Sequence, residues 1–289
     1  MTGRSELPLT EVFLEANFSE VREFTVATRQ VAAYCHGSPG RTTPSEDASA
    51  CFQVNYFSGV LVVADGVGGH QSGEIAAAQA IECIRRHLEQ NQDVSLRGTL
   101  LDAIEAANQA VMELGHGAAT TLAVVELQKD FFRPYHVGDS LITLISQRGR
   151  IKWQSVGHAP VGYAVEAGVL DEEEAMLHPD RHIVSNVIGQ KDMSVSLGPE
   201  LKMAARDTLI LCSDGLSDNV STEEMSQLLR TGPLREACES VVQLAQVRME
   251  QADDLTDIPG KPDDLTIIAC RVGSNAAPES TEPSDPETG

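Results

Sequence analysis

Two apolar runs in this chain end on the same pair of residues. Leu61-Val62-Val63-Ala64 leads into Asp65-Gly66, and Leu209-Ile210-Leu211-Cys212-Ser213 leads into Asp214-Gly215. A short apolar run reads as a buried strand, so each would deliver one carboxylate to its own end. The glycine that follows allows close approach to the backbone. An unpaired Asp at a buried strand end is costly, so something cationic must meet it. Two more acidic turns, Ser45-Glu46-Asp47 and Pro262-Asp263-Asp264-Leu265-Thr266, border similar apolar sequence. Corners that offer only oxygen, with no paired His or Cys, suit magnesium or manganese rather than zinc. Two such ions about 3.5–4 Å apart share a bridging carboxylate and hold a hydroxide between them. That hydroxide can attack phosphorus in line while the ions neutralise the phosphoryl oxygens.

The elements that must position these corners follow from periodicity. Apolar residues spaced by three or four predict helices over 72–90 (Ile75, Ala78, Ile81, Ile84, Leu88) and 97–113 (Leu100, Leu101, Ile104, Ala107, Val111). Strand-like runs cover 24–35, 51–57, 59–64, 120–127, 132–137, 141–146, 151–155, 194–197, 208–213 and 266–272, and Arg148-Gly149 predicts a hairpin turn. Ser221 with Glu224 reads as a capping box opening a helix, and a last helix spans about 233–251. A short helix is expected around 11–15. Strands joined by short turns, with helices grouped in pairs, predict two stacked antiparallel sheets with helices outside rather than a doubly wound fold.

Taken in order, Asp65-Gly66-Val67-Gly68-Gly69-His70, His136-Val137-Gly138-Asp139-Ser140, Ser213-Asp214-Gly215-Leu216-Ser217-Asp218 and Asp263-Asp264-Leu265-Thr266 resemble the metal-dependent serine/threonine protein phosphatases of type 2C, in a bacterial-like form. The similarity runs from about residue 25 to 272. It implies an α+β fold, a four-layer αββα sandwich of two antiparallel sheets flanked by helix pairs. It also implies roles. Asp65 would bridge two ions and the Gly66 carbonyl would bind one of them. Asp214 and Asp263 would complete the other. Asp47, after Glu46, would act directly or through water, and Asp139 would help Asp214 hold a third, weaker ion. Arg41 would bind the substrate phosphate, although it lies five residues before Glu46 rather than the usual four. Asp264 stands where the family often has Asn and is not expected as a direct ligand. Val67 stands where some members carry a His proposed as general acid, so that role is either vacant or falls to metal-bound water or His70. The expected activity is hydrolysis of phosphoserine and phosphothreonine in proteins, among them substrates of a serine/threonine kinase.

Two alternatives stand beside this reading. Cys35-His36-Gly37-Ser38-Pro39-Gly40-Arg41 fits Cys-x5-Arg, in which a thiolate attacks phosphorus and the Arg binds phosphate. The loop then runs into Pro44 rather than a helix whose N-terminus could help bind phosphate. The other alternative is a non-catalytic phosphoprotein-binding module on the same fold, which would have no need of Asp65, Asp214 and Asp263.

Bulk properties narrow the rest. The 289 residues carry a net charge of −22, which argues against nucleic acid and anionic membranes as partners. No apolar stretch is of membrane-spanning length and the first ten residues carry no secretory pattern. The six cysteines lack paired spacing and read as reduced core residues of a cytoplasmic, monomeric protein. Residues 1–24 read as an extension and 25–272 as the catalytic domain. Within it, 157–189 reads as a flap whose acidic patch Asp171–Glu174 is a solvated helix face. His158, His178 and His182 there read as surface or packing residues. The Pro-, Glu- and Ser-rich stretch 273–289 reads as a disordered tail.

Overall fold

The computed structural model describes residues 9–67, 71–91, 94–252 and 260–272. One sheet runs in the order β1 (Leu9–Leu14), β4 (Ala48–Gln53), β5 (Gly59–Ala64), β8 (Leu122–Leu127), β9 (Phe131–Val137) and β12 (Ser196–Leu197), with β13 (Leu201–Lys202) also pairing β9. The other runs β11 (Ile151–Gln154), β10 (Leu141–Ile145), β14 (Thr208–Cys212), β15 (Leu265–Val272), β3 (Arg29–His36) and β2 (Arg22–Val26). A two-stranded ribbon joins β6 (Gly66–Val67) to β7 (Ala119–Thr120). All of these pairings are antiparallel.

The period of two along β5 explains the layering. Val60, Val62 and Ala64 face one apolar cluster, shared with helices α1 (Gln71–Gln90) and α2 (Leu96–Leu114). Leu61 and Val63 face a second cluster, shared with the other sheet. Helices α5 (Asp214–Ser217), α6 (Thr222–Leu229) and α7 (Leu234–Glu250) close the far side, giving the expected αββα order. Because β5 is covered on both faces, it reads as an unbroken apolar run. The six cysteines are buried and unpaired.

Several local expectations differ from the structure. The short helix expected at 11–15 is strand β1, paired with β4 from Leu9↔Gln53 to Leu14↔Ala48. An apolar partner strand outweighs weak local propensity there, and Phe13, Phe18 and Val21 pack into the core. The run 24–35 is two strands, β2 and β3, turning at Ala27 and Thr28, both at positive φ (48° and 67°). That turn carries no Gly or Asn to announce it. On α1, Ile75 is exposed, and the buried face is Ala76, Ala77, Ala80, Ile81, Ile84 and Leu88. Small residues face inward because the start of α1 lies hard against β6. The stretch 157–189 holds two short helices, α3 (Pro160–Glu166) and α4 (Glu172–Met176). Asp171 caps α4 in a capping box with Glu174, so the largely exposed acidic patch, expected as a solvated helix face, forms the first turn of that helix. The capping box of Ser221 with Glu224 is present on α6. His70 and the tail 273–289 lie outside the described residues.

Candidate metal centre

Strand register gathers the acidic corners at one end of both sheets. Ala48 pairs with Ala64, so Asp47 and Asp65 stand opposite each other one residue further on. Leu141 pairs with Cys212, and two residues beyond that pair on each side lie Asp139 and Asp214. Asp263 and Asp264 immediately precede β15, the neighbour of β14. Two glycines permit this convergence. A Cβ on Gly66 would lie 2.4 Å from the Gly73 carbonyl carbon and 2.8 Å from the Glu46 oxygen. One on Gly215 would lie 2.0 Å from the Asp264 oxygen. The start of α1 and the 263–264 turn can therefore press onto the two Asp-Gly corners only because no side chain intervenes.

The backbone of Asp65 is held on both sides. Its N–H donates to Thr121 Oγ1 at 3.1 Å, and its carbonyl accepts from the Thr121 N–H and the Thr120 hydroxyl, each at 2.8 Å. The carboxyl pKa of Asp65 is pushed well above the usual range by burial, then by Asp214, Asp47, Asp263 and Asp139. Those groups therefore share one pocket. Asp47 is also pushed up, chiefly by burial, with hydrogen bonds from Ser213 and Thr266 pulling the other way. Its Oδ2 is buried without a hydrogen-bond partner. Burial, then Asp214 and Asp218, raises Asp139 to about 7. Asp218 is raised to about 6 by burial and Asp214.

A cation already stands among these groups. Lys261 Nζ lies 3.0 Å from Asp218 Oδ2 and 3.0 Å from Asp263 Oδ2, and it contacts Asp214 Oδ2. Burial works against the ammonium, but Asp214, Asp218 and Asp263 outweigh it and raise its pKa. Among the described residues no three His, Cys, Asp or Glu side chains already surround one point as metal ligands do. The residues nonetheless fit divalent ions. The donors are all oxygen, the carboxyls repel one another, and the orphaned Asp47 Oδ2 needs a positive partner.

Arg41 stands at the rim, its Nη1 3.4 Å from Glu46 Oε1 and 3.9 Å from Asp264 Oδ2, with 38% of the side chain exposed. Asp264 gives both its oxygens to backbone donors, accepting the Ser38 and Glu46 amides. A cavity of about 390 Å³ adjoins the centre, lined by Asp139, Asp214, Asp218 and by Arg181 and Glu172 of the 157–189 stretch. His158 is buried and shapes the loop behind Asp139. Its Nδ1 accepts the Gly138 N–H at 3.0 Å, and its Nε2 lies 2.8 Å from Ser196 Oγ.

Cys35 does not fit a nucleophile. It lies inside β3, fully buried, and its thiol is pushed up to about 12 by burial first and Asp47 next. A thiolate mechanism needs the opposite shift and an accessible sulfur. The Cys-x5-Arg match is thus a coincidence of spacing. Two members of the cluster, Asp218 and Lys261, were not singled out by sequence. Asp218 follows Asp214 by four, the spacing of one helix face. Lys261 precedes Asp263 by two, the spacing that puts side chains on one side of an extended chain.

The four-layer fold with acidic corners at one end defines a class of metal-dependent hydrolases. The chain matches the protein phosphatase 2C family over residues 39–252, and it belongs to that family. Protein phosphatase PhpP from Streptococcus pneumoniae is 31% identical over 198 residues, 64% of this chain and 79% of that protein. The serine/threonine phosphatase of S. agalactiae superposes with a TM-score of 0.73 at 26% identity, over 85% of this chain and 100% of that one. The catalytic domain of PstP, in complex with two manganese ions, superposes at 0.67 with 26% identity, over 84% of this chain and 97% of that one.

Proposed function

We propose that this chain hydrolyses phosphoserine and phosphothreonine in proteins, using magnesium or manganese. The observation that carries the reading is the meeting of Asp47, Asp65, Asp139, Asp214 and Asp263, from separate strand ends, around a buried carboxylate oxygen with no partner. Asp65 would serve both ions, with the Gly66 carbonyl completing one and Asp214 and Asp263 the other; Asp47 would act directly or through water, and Asp139 with Asp214 would serve a third, weaker site. Bound ions supply an activated water and neutralise the phosphoryl oxygens. Arg41 receives and orients the phosphate with its paired donors. Thr120 and Thr121 keep the Asp65 carboxylate aimed, and the cavity floored by Asp139 and Asp214 receives the residues around the phosphate. The 157–189 flap on that cavity selects among substrates.

The retained carboxylates weigh against a module that only binds phosphoproteins. Among the described residues no helix is long and apolar enough to cross a membrane. The buried, unpaired cysteines suit a cytoplasmic setting, with a serine/threonine kinase as the natural opponent. The net charge of −22 makes nucleic acid and anionic membranes unsuitable partners, and the chain acts as a monomer. The test is hydrolysis of a phosphothreonine and a phosphotyrosine peptide, with manganese and then with chelator. Turnover of the first alone, abolished by chelator, is expected; turnover that survives chelation would sink the reading.

A further inference from the structure

Lys261 is placed by the fold rather than left to wander on a loop. Its backbone N–H donates to Asn219 Oδ1 at 2.8 Å, and its carbonyl accepts from Asn219 Nδ2 at 2.9 Å. Asn219 is fully buried, and the same Nδ2 donates to the Gly215 carbonyl at 2.8 Å. The Asn219 carbonyl in turn accepts from Arg248 on α7 at 2.6 Å, and Arg248 is paired with Glu224. One amide side chain thereby locks the Lys261 backbone to the turn that carries Asp214. The Lys261 side chain has one course left, into the carboxylates of Asp214, Asp218 and Asp263.

A divalent ion bound by Asp214 and Asp263 would use the same two carboxylates. Ligand oxygens lie about 2.0–2.1 Å from magnesium, while the ammonium stands 3.0 Å from Asp263 Oδ2. The ammonium and a divalent ion therefore draw on the same two carboxylates and compete for their charge. The Asp47 and Asp65 side carries no such competitor in its described contacts, and its Oδ2 on Asp47 is unpartnered. The centre is therefore unequal in its two halves.

We propose that Lys261 is a tethered cation that contests the divalent ion on the Asp214–Asp263 side, so that one ion fills the Asp65–Asp47 side first and the next must displace the ammonium. The inference rests on the reading of the site as a metal centre. In the metal-free chain the ammonium limits repulsion among the carboxylates. With the metal present, it sets a concentration threshold for full loading.

Calorimetric titration of the full chain with manganese chloride tests this without reference to turnover. The wild type should show a tight step and a weaker one. In K261M, which keeps the apolar stem but drops the charge, the weaker step should tighten at least about tenfold. K261Q should behave like K261M, and K261R, which keeps the charge, should not tighten. Superimposable isotherms for wild type, K261M and K261Q would overturn the role of Lys261 and leave the metal centre standing. No manganese uptake by any of them would overturn both.

Discussion

Asp264 Oδ1 accepts the backbone N–H of Ser38 at 2.7 Å, across 226 residues of chain. Its other oxygen accepts the Glu46 N–H at 2.6 Å and lies 3.9 Å from Arg41 Nη1. One carboxylate thus staples both ends of the loop that carries Arg41 to the turn that carries Asp263. Removing it orphans two amides and leaves Arg41 with Glu46 as its remaining acidic neighbour.

Asp264→Ala should therefore cost about 2–4 kcal/mol of stability, the value of charge-assisted hydrogen bonds whose donors are left buried. It should also raise KM for an aryl phosphate more than it lowers kcat. Asp264→Asn keeps one acceptor and should retain more of both. Urea unfolding and steady-state kinetics on the pair check this; unchanged KM in the alanine variant would separate Asp264 from Arg41.

Asp65→Asn should move activity and stability in opposite directions. Turnover should fall on the order of a hundredfold or more, as for loss of one preorganised electrostatic partner. In chelator the melting temperature should hold or rise, because a buried carboxyl crowded by Asp214, Asp47, Asp263 and Asp139 has been neutralised. A marked drop in melting temperature would mean that the Asp65 carboxylate supports the fold itself.

Cys35→Ser should leave kcat within about twofold, since the buried thiol accepts from the Thr266 hydroxyl at 3.2 Å and a serine oxygen can accept in its place. Burying a hydroxyl in its place should cost about 1–2 kcal/mol of stability. Assay with a phosphopeptide beside thermal unfolding distinguishes the two effects.

His158 gives a pH dependence of defined sign. Burial, and then His136, lowers its pKa from 6.5 to about 4. Its Nδ1 already accepts from the Gly138 N–H and the Asn186 amide, so a proton there would displace both. The unfolded chain binds that proton below pH 6.5 while the folded one refuses it. The stability this contributes is therefore complete above pH 6.5 and is lost as pH falls toward 4. The loss amounts to about 3 kcal/mol at most. Melting curves across that window should slope less in His158→Asn than in the wild type.

The acidic corners were legible because each sits where an apolar run stops, and a buried strand end leaves a carboxylate few other uses. Register then did the rest, since antiparallel pairing of 48 with 64 and of 141 with 212 carries the aspartates face to face. Lys261 was not legible. A lysine between Gly260 and Pro262 reads as solvated loop, and only the distant Asn219 turns it inward. Nor was β1, whose six residues take their conformation from β4, a partner far along the chain. The Ala27–Thr28 turn escaped because its positive φ values fall on residues that rarely adopt them.

The pairing of β1 with β4 has a consequence for solubility. Residues 9–14 form the outermost strand on that side, and they shield the backbone donors and acceptors of β4. A shorter polypeptide starting at residue 25 would leave that row open, a template for strand addition by another molecule. With β1 in place the open row belongs to residues 9–14, so this segment moves the rim of the sheet one strand outward from Asp47.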